Sequence, residues 1–329
     1  MKRKVIVTGG AGFIGSHLVE YLVKKKFNVV VIDNLKTGRK KNLKNIYKKI
    51  RFIRCDISNY KKIEKIFSKT TFVFHLAGLA DIVPSIDYPE DYFKANVEGT
   101  LNVLKACKQH KIKKIIYAAS ASCYGKTNNQ PTRTDEKISN EYPYALTKNF
   151  GEQLVSHWSK VYKLNYVSLR LFNVYGLRSR TTGAYGAMFG VFLAQLLKNF
   201  PLTVVGNGKQ TRDFIYVTDV VEAFYKAAVS KINNKIFNVG SGRQTSVNEI
   251  VKLMNAKKIN IPSRPGEPLK SQAYIKDTKK YLKWNPKITI EKGVTILIKN
   301  IHDWYDAPIW TKKLIRIQTQ KWFKYLKKS

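Results

Sequence analysis

Acidic residues are scarce in this chain. Only 22 Asp and Glu stand against 60 Lys and Arg over 329 residues, a formal charge of +38. A field of that sign attracts nucleic acid, anionic lipid and anionic metabolites alike. The lysines are scattered through every expected surface helix rather than gathered in one stripe. No zinc-ligand pattern or RNA-binding sheet motif accompanies them, so no specific nucleic-acid partner is expected. Cysteine is nearly absent: Cys55, Cys107 and Cys123 give neither a disulfide framework nor a metal-ligand spacing, and no metal is expected. No apolar run approaches the ~18 residues of a membrane span. The first strand is expected to start at once, and no secretory leader is expected. The expectation is a cytoplasmic globular protein, and 44% hydrophobic residues are enough for a large core.

What the chain does have is concentrated in residues 5–15, Val-Ile-Val-Thr-Gly-Gly-Ala-Gly-Phe-Ile-Gly. An apolar strand runs into Gly9, Gly12 and Gly15, and an amphipathic helix follows through Ser16, Leu18, Val19 and Leu22. Strand, tight glycine turn and helix start together aim backbone N–H groups at a site where a pyrophosphate can sit. A second apolar strand ends at Asp33, about twenty residues on, where a carboxylate suits a ribose diol and disfavours a 2′-phosphate. A dinucleotide site using NAD is expected.

Strands are expected at 4–8, 28–32, 51–54, 72–75, 113–119, 165–171 and 235–239. Helices are expected near 13–25, 60–68, 90–109, 143–162, 187–199 and 218–230. Alternation of this kind predicts an α/β fold, a parallel sheet with helices on both faces. Residues 1–172, with 212–240 returning to them, are expected to form the dinucleotide-binding domain. The glycine-rich stretch 173–211, which includes Gly183 and Gly186, and residues 241–306 are expected to form a smaller substrate lobe over the carboxyl edge of the sheet.

Tyr144 and Lys148 lie four apart at the start of the helix expected over 143–162, hence on one helix face. Tyrosine ordinarily titrates near 10. An ammonium ~5 Å away at an effective dielectric of ~20 favours the phenolate by about 3 kcal/mol, or ~2 pKa units. Tyr144 is therefore expected to act as a base toward a substrate hydroxyl. Ser120 closes the strand 113–119, at the sheet edge where ligands bind, and can hold the reacting oxygen.

Together these residues resemble the extended short-chain dehydrogenase/reductases, and among them the NAD-dependent nucleotide-sugar epimerases, over about residues 3–306. Further shared motifs are Asp33-Asn34-Leu35, Asp56-Ile57, His75-Leu76-Ala77-Gly78, Asn96-Val97-Glu98-Gly99-Thr100, Arg170-Leu171-Phe172-Asn173 and Gln210-Thr211-Arg212-Asp213-Phe214. The resemblance implies a Rossmann-type doubly wound parallel sheet and a homodimer. It places Gly12, Phe13 and Ile14 at the pyrophosphate, Asp33 at the adenosine ribose and Asp56 and Ile57 beside the adenine, with Gly9, Gly15 and Asn34 also among the cofactor-binding residues. Ala77, Gly78, Tyr144 and Lys148 fall on the nicotinamide side. Arginine's planar fork suits phosphate better than lysine. By the resemblance Arg212 and Arg264 hold a diphosphate, while Asn173 and Ser120 touch the rest of a nucleotide-sugar substrate.

The family's dehydratases carry an Asp-Glu pair where this chain has Ala121-Ser122, and its decarboxylases usually carry a glutamate at the place of Ser122. What the resemblance leaves is 4-epimerisation of a UDP-hexose. A UDP-uronate epimerase or decarboxylase, or a non-catalytic NAD-binding sensor or scaffold, are the alternatives. A bulky tyrosine a few residues beyond the second diphosphate arginine restricts the family's pocket to plain hexoses. Here the position is Ser271, which leaves room for an N-acetyl group.

Residues 311–329 carry seven basic side chains and no acidic one. At ~100° per residue, Leu314, Ile315, Trp322, Tyr325 and Leu326 share an arc of about 120°, with Ile317 outside it. Residues 307–329 thus read as a basic amphipathic tail, which would either pack on its own domain or partner, or contact an anionic membrane surface peripherally.

Overall fold

A computed structural model describes residues 2–179 and 188–326 of the protein. Gly183 and Gly186, and the last three residues of the tail, lie outside the described residues. Seven parallel strands form the central sheet: β1 (Lys4–Thr8), β2 (Asn28–Asp33), β3 (Arg51–Arg54), β4 (Phe72–His75), β5 (Lys114–Ser120), β6 (Tyr166–Leu171) and β7 (Lys235–Val239). Their order across the sheet is β3-β2-β1-β4-β5-β6-β7. The direction of winding reverses between β1 and β4, and the crevice outside their carboxyl ends is the switch point where such sheets bind ligands.

Alternating side chains build the two faces. Val5, Val7, Val29 and Val31 pack against Leu18 and Leu22 of helix α1 (Phe13–Lys24) and against Val220 and Phe224 of the helix Val217–Val229. On the other face Ile6, Val30 and Ile32 meet Val103 and Leu104 of α2 (Gly99–Gln109) and Val155 of α3 (Pro143–Tyr162). The sheet is therefore covered on both sides, the Rossmann-type arrangement. A separate core gathers Phe189, Phe192, Val247, Ile250, Val294, Leu297 and Trp304 from the segments after β6 and β7. No helix of the described residues is long and apolar enough to cross a membrane.

The sequence pattern smoothed over three irregularities, the first at the helix expected over 60–68, where a single turn Tyr60–Ile63 runs on as a tighter 3-10 turn Glu64–Phe67. The helix expected over 90–109 is instead a chain of pieces: a short helix Ile82–Asp87, another at Pro89–Phe93, a widened π turn at Lys94–Glu98, then α2. Asn96 sits in that turn, fully buried, clamping Leu79 through both its amide oxygen (2.8 Å) and nitrogen (3.0 Å) and reaching Thr147 of α3 at 3.0 Å. The tail is also not one helix. It breaks at Thr319 into α4 (Lys312–Gln318) and α5 (Gln320–Leu326).

His75, with no exposed surface, locks β1, β4 and α2 together. The Thr100 hydroxyl donates to Asn96 O (2.6 Å), so it accepts from Nε2 of His75 (2.9 Å), and Nδ1 of the ring accepts from the Thr8 hydroxyl (2.7 Å). Burial pushes its pKa down to about 3, with Lys148 adding to the effect. Burial likewise lowers His17 to about 4. Both rings are neutral in the folded state, so their stabilisation is complete above the unfolded pKa of about 6.5 and declines as pH falls toward 4. Each is expected to cost about 1.5 kcal/mol of stability between pH 6.5 and 5. Urea unfolding at both pH values checks this: His17→Gln should shrink the pH-dependent loss by about one histidine's share.

Candidate active site

The glycine turn is shaped by close approach. Gly9 has φ of +71°, and a Cβ on Gly15 would lie 2.1 Å from the Gly9 carbonyl oxygen. Gly12 differs, since a Cβ there would meet only that same oxygen, at 3.2 Å, and otherwise project into open space. Helix α1 begins directly afterwards with no side chain capping it. Its first N–H groups have no intrahelical acceptor, and Phe13, Ile14 and Gly15 line the main cleft, a cavity of about 730 Å³. The cradle fits a pyrophosphate.

At the end of β2, Asp33 accepts from the amides of Ala11 (2.9 Å) and Leu35 (2.8 Å). Burial pushes its carboxyl up against the pull of these two bonds. Asn34 donates to Asp56 at 2.8 Å. Burial works to raise Asp56, but the Ser58 amide and Asn34 outweigh it and the net shift is downward. Ile57 lines the same end of the cleft, and Ala77 and Gly78 line the stretch following β4. The Ala77 amide donates to the Thr8 hydroxyl oxygen (3.3 Å), tying this wall to the His75 network.

Pro143 occupies the first turn of α3, where its missing N–H costs nothing. This sets Tyr144 at the helix mouth and Lys148 one turn deeper. Ser120 closes β5, and its hydroxyl oxygen accepts from the Ser122 amide (3.2 Å) and hydroxyl (2.8 Å). Ser120 and Tyr144 both line the main cleft, and the Ser120 hydroxyl works to lower the Tyr144 phenol. The Lys148 ammonium lies over the face of Tyr117, 4.4 Å from the ring centre. Here the charge argument from sequence is corrected. Burial pushes the Tyr144 phenol up to about 12, with only the Ser120 hydrogen bond lowering it. Burial also brings Lys148 down to about 8, against the pull of Glu152. Desolvation disfavours both charged forms and outweighs the four-residue pairing.

At the far end of the cleft, Arg212 (Nη2, 3.2 Å) and Arg264 (Nη1, 2.7 Å) share the carboxylate of Glu267. Arg212 also donates to Pro268 O at 2.8 Å. Two guanidiniums against one carboxylate leave one net positive charge for an anion. Asn173 and Ser271 line the cleft too. The segment carrying Ser271 is pinned: Gln272 N donates to Gln130 (2.7 Å) and Ala273 N to the buried Asp213 (2.9 Å). Each residue given a catalytic, cofactor or substrate role from sequence thus borders one cavity. Sequence reasoning missed Tyr117 beneath Lys148, Glu267 between the arginines, and Tyr142, whose ring stacks near-parallel to that of Tyr144 at 6.5 Å.

Residues 5–240 match the NAD dependent epimerase/dehydratase family. A putative UDP-glucose 4-epimerase of Methanocaldococcus jannaschii is 36% identical, covering 91% of this chain and 97% of its own length. Among solved structures, a UDP-N-acetylglucosamine 4-epimerase of Methanobrevibacter ruminantium M1, in complex with UDP-N-acetylmuramic acid, superposes with a TM-score of 0.86. It is 32% identical and covers 93% of this chain and 99% of that one. A UDP-glucuronic acid 4-epimerase of Bacillus cereus, bound to UDP-glucuronic acid and NAD, gives 0.83 at 32% identity, covering 92% and 100%.

Proposed function

The chain belongs to the NAD dependent epimerase/dehydratase family, enzymes acting on nucleotide sugars with NAD, and on that premise we propose that it is a UDP-hexose 4-epimerase accepting the acetylated pair UDP-GlcNAc and UDP-GalNAc. The plain pair UDP-glucose and UDP-galactose is a further candidate substrate. The observation carrying this reading is that Ser120 and Tyr144 line the same cleft as Arg212 and Arg264. A diphosphate held by the arginines presents the sugar to the hydroxyl pair. NAD, when bound, would supply the hydride acceptor and donor and a positive ring.

Ser120 holds the C4 oxygen while Tyr144 takes its proton as that carbon is oxidised. Rotation of the 4-keto sugar about its diphosphate linkage exposes the other face, and Tyr144 gives the proton back on reduction. Lys148 would supply positive charge on the nicotinamide side. Gly9, Gly12 and the start of α1 would hold the pyrophosphate, and Asp33, Asn34, Asp56 and Ile57 the adenosine. Ser122 spends its hydroxyl on Ser120, which leaves no acid–base pair there for water loss.

A UDP-uronate substrate is the second reading, supported by the likeness to the B. cereus enzyme. Proton NMR of the C4 epimers, with UDP-GlcNAc, UDP-glucose and UDP-glucuronate in separate tubes, distinguishes them. Interconversion of the acetylated pair is expected. Turnover of the uronate alone would replace this reading with the second. Ser271→Tyr is expected to lower turnover of the acetylated pair by about a hundredfold or more, with the plain hexoses much less affected, because a pinned backbone cannot move the added ring aside.

The enzyme is further proposed to pair with a second copy through the groove of Phe93, Val97, Phe150 and Leu154 beside α3. Phe93 is 44% exposed there. A particle of twice the 37.8 kDa chain mass in light scattering is expected, and a monomer would refute it.

A further inference from the structure

The tail is not spare surface. Ile315 of α4 and Trp322 of α5 both border the main cleft, and they are 5% and 1% exposed. The Trp322 indole N–H donates to the Pro265 carbonyl at 2.7 Å. Its ring lies 6.4 Å from that of Tyr142, which in turn stacks on Tyr144. The Arg264 guanidinium lies 5.8 Å from the centre of the indole, within cation–π range. Outside the cleft, Lys321 of the same helix pairs with Asp87 at 3.2 Å, fastening α5 to the short helix Ile82–Asp87. Leu314, Ile317 and Tyr325 face outward, so the two buried apolar side chains of residues 311–326 are spent inward, on the substrate end.

We propose that residues 311–326 are a structural part of the nucleotide-sugar site, with Trp322 as the residue that positions Arg264 and Tyr142. The indole does three things at once. It anchors the turn carrying Arg264 through Pro265 and gives the guanidinium a fixed surface. It also closes the aromatic row that ends in Tyr144. Without it the loop 262–268 loses its outer wall and water reaches the ion pair of Arg264 with Glu267, where screening weakens the hold on a diphosphate. The contacts named above, with Asp87, Tyr142, Arg264 and Pro265, include no residue of the glycine turn or of the adenosine site. The effect is thus expected on the sugar-nucleotide half.

This inference rests on the epimerase reading for its turnover readout, so free UDP serves as an independent probe. The full chain, Trp322→Ala, Trp322→Phe and the surface variant Lys321→Glu are compared by calorimetry with UDP, by calorimetry with NAD, and by kinetics with the active UDP-sugar. For Trp322→Ala the dissociation constant for UDP and the KM for the UDP-sugar are expected to rise about tenfold. Its kcat should stay within threefold and its NAD affinity should be unchanged. Trp322→Phe, which keeps an aromatic wall, should restore most of the loss. Lys321→Glu, which repels Asp87 without entering the cleft, should show a smaller shift of the same sign. Equal UDP affinity in all four proteins would overturn the role of the tail even if the epimerase reading stands. Weakened UDP binding without turnover of any UDP-sugar would keep the tail in the site and remove the epimerase reading. A parallel loss of NAD affinity in Trp322→Ala would mark a general structural role and also overturn the proposal.

Discussion

Tyr144→Phe is expected to lower epimerisation by about 10³-fold or more, toward the upper end of what a single acid–base group contributes, while NAD affinity stays within twofold. The substitution removes one oxygen and leaves the ring, so packing against Tyr142 and Tyr92 persists. What disappears is the one group placed to move the proton. Burial holds the Tyr144 phenol at about 12, so at neutral pH it is protonated until positive charge is brought beside it. The chain's own source is Lys148, itself lowered to about 8. Turnover should therefore depend on Lys148 remaining charged and should fall as pH rises through about 8. Parallel measurement of turnover and NAD binding decides the matter. Activity within tenfold of wild type in Tyr144→Phe would remove the phenol from the mechanism.

The glycine turn could be read from sequence because its requirement is local and covalent. Gly15 cannot carry a Cβ within 2.1 Å of a carbonyl oxygen, and no distant contact alters that. The same holds for the pairing of Tyr144 with Lys148 on one helix face. The direction of the Tyr144 shift could not be read, because it depends on how much water the assembled cleft excludes. Trp322 shows the other limit. Its partner Pro265 lies 57 residues away, and periodicity alone joined α4 and α5 into one amphipathic helix. Thr319 breaks that helix, and the hydroxyl of Thr319 donates back to Ile315 O at 2.8 Å, a local bond that competes with continued helix. The wide turn at Lys94–Glu98 escaped for a related reason. Its cause is Asn96 reaching across to Leu79 and Thr147, and polar residues on a helix pattern normally imply solvent.

Beneath the site lies the feature whose removal should cost the most stability. Glu152 of α3 and Arg170 of β6 form an ion pair at 2.6 Å with both side chains only 6% exposed. Ser168 donates to the same carboxylate at 2.7 Å, and Arg170 donates on to the Tyr124 hydroxyl at 2.9 Å and Thr134 O at 3.0 Å. Tyr124 donates in turn to Asn238 at 2.7 Å, and Asn238 to Thr132 O at 2.8 Å. The network joins the helix carrying Tyr144, the turn after Ser120, and the loop pinned to Ser271. Glu152→Gln keeps the volume but strands a guanidinium away from water, and the expected loss is about 3–5 kcal/mol. Arg170→Met alone should cost a comparable amount by stranding the carboxylate. With both charges gone neither ion is left uncompensated, so the double variant should be more stable than the sum of the two losses by 2 kcal/mol or more. Denaturant unfolding of the four proteins completes the cycle, and simple additivity would refute the coupling. Glu152 is also the one group raising Lys148 against burial. Glu152→Gln should therefore move the alkaline fall in turnover to lower pH. A stability role confined to packing would leave that limb where it is.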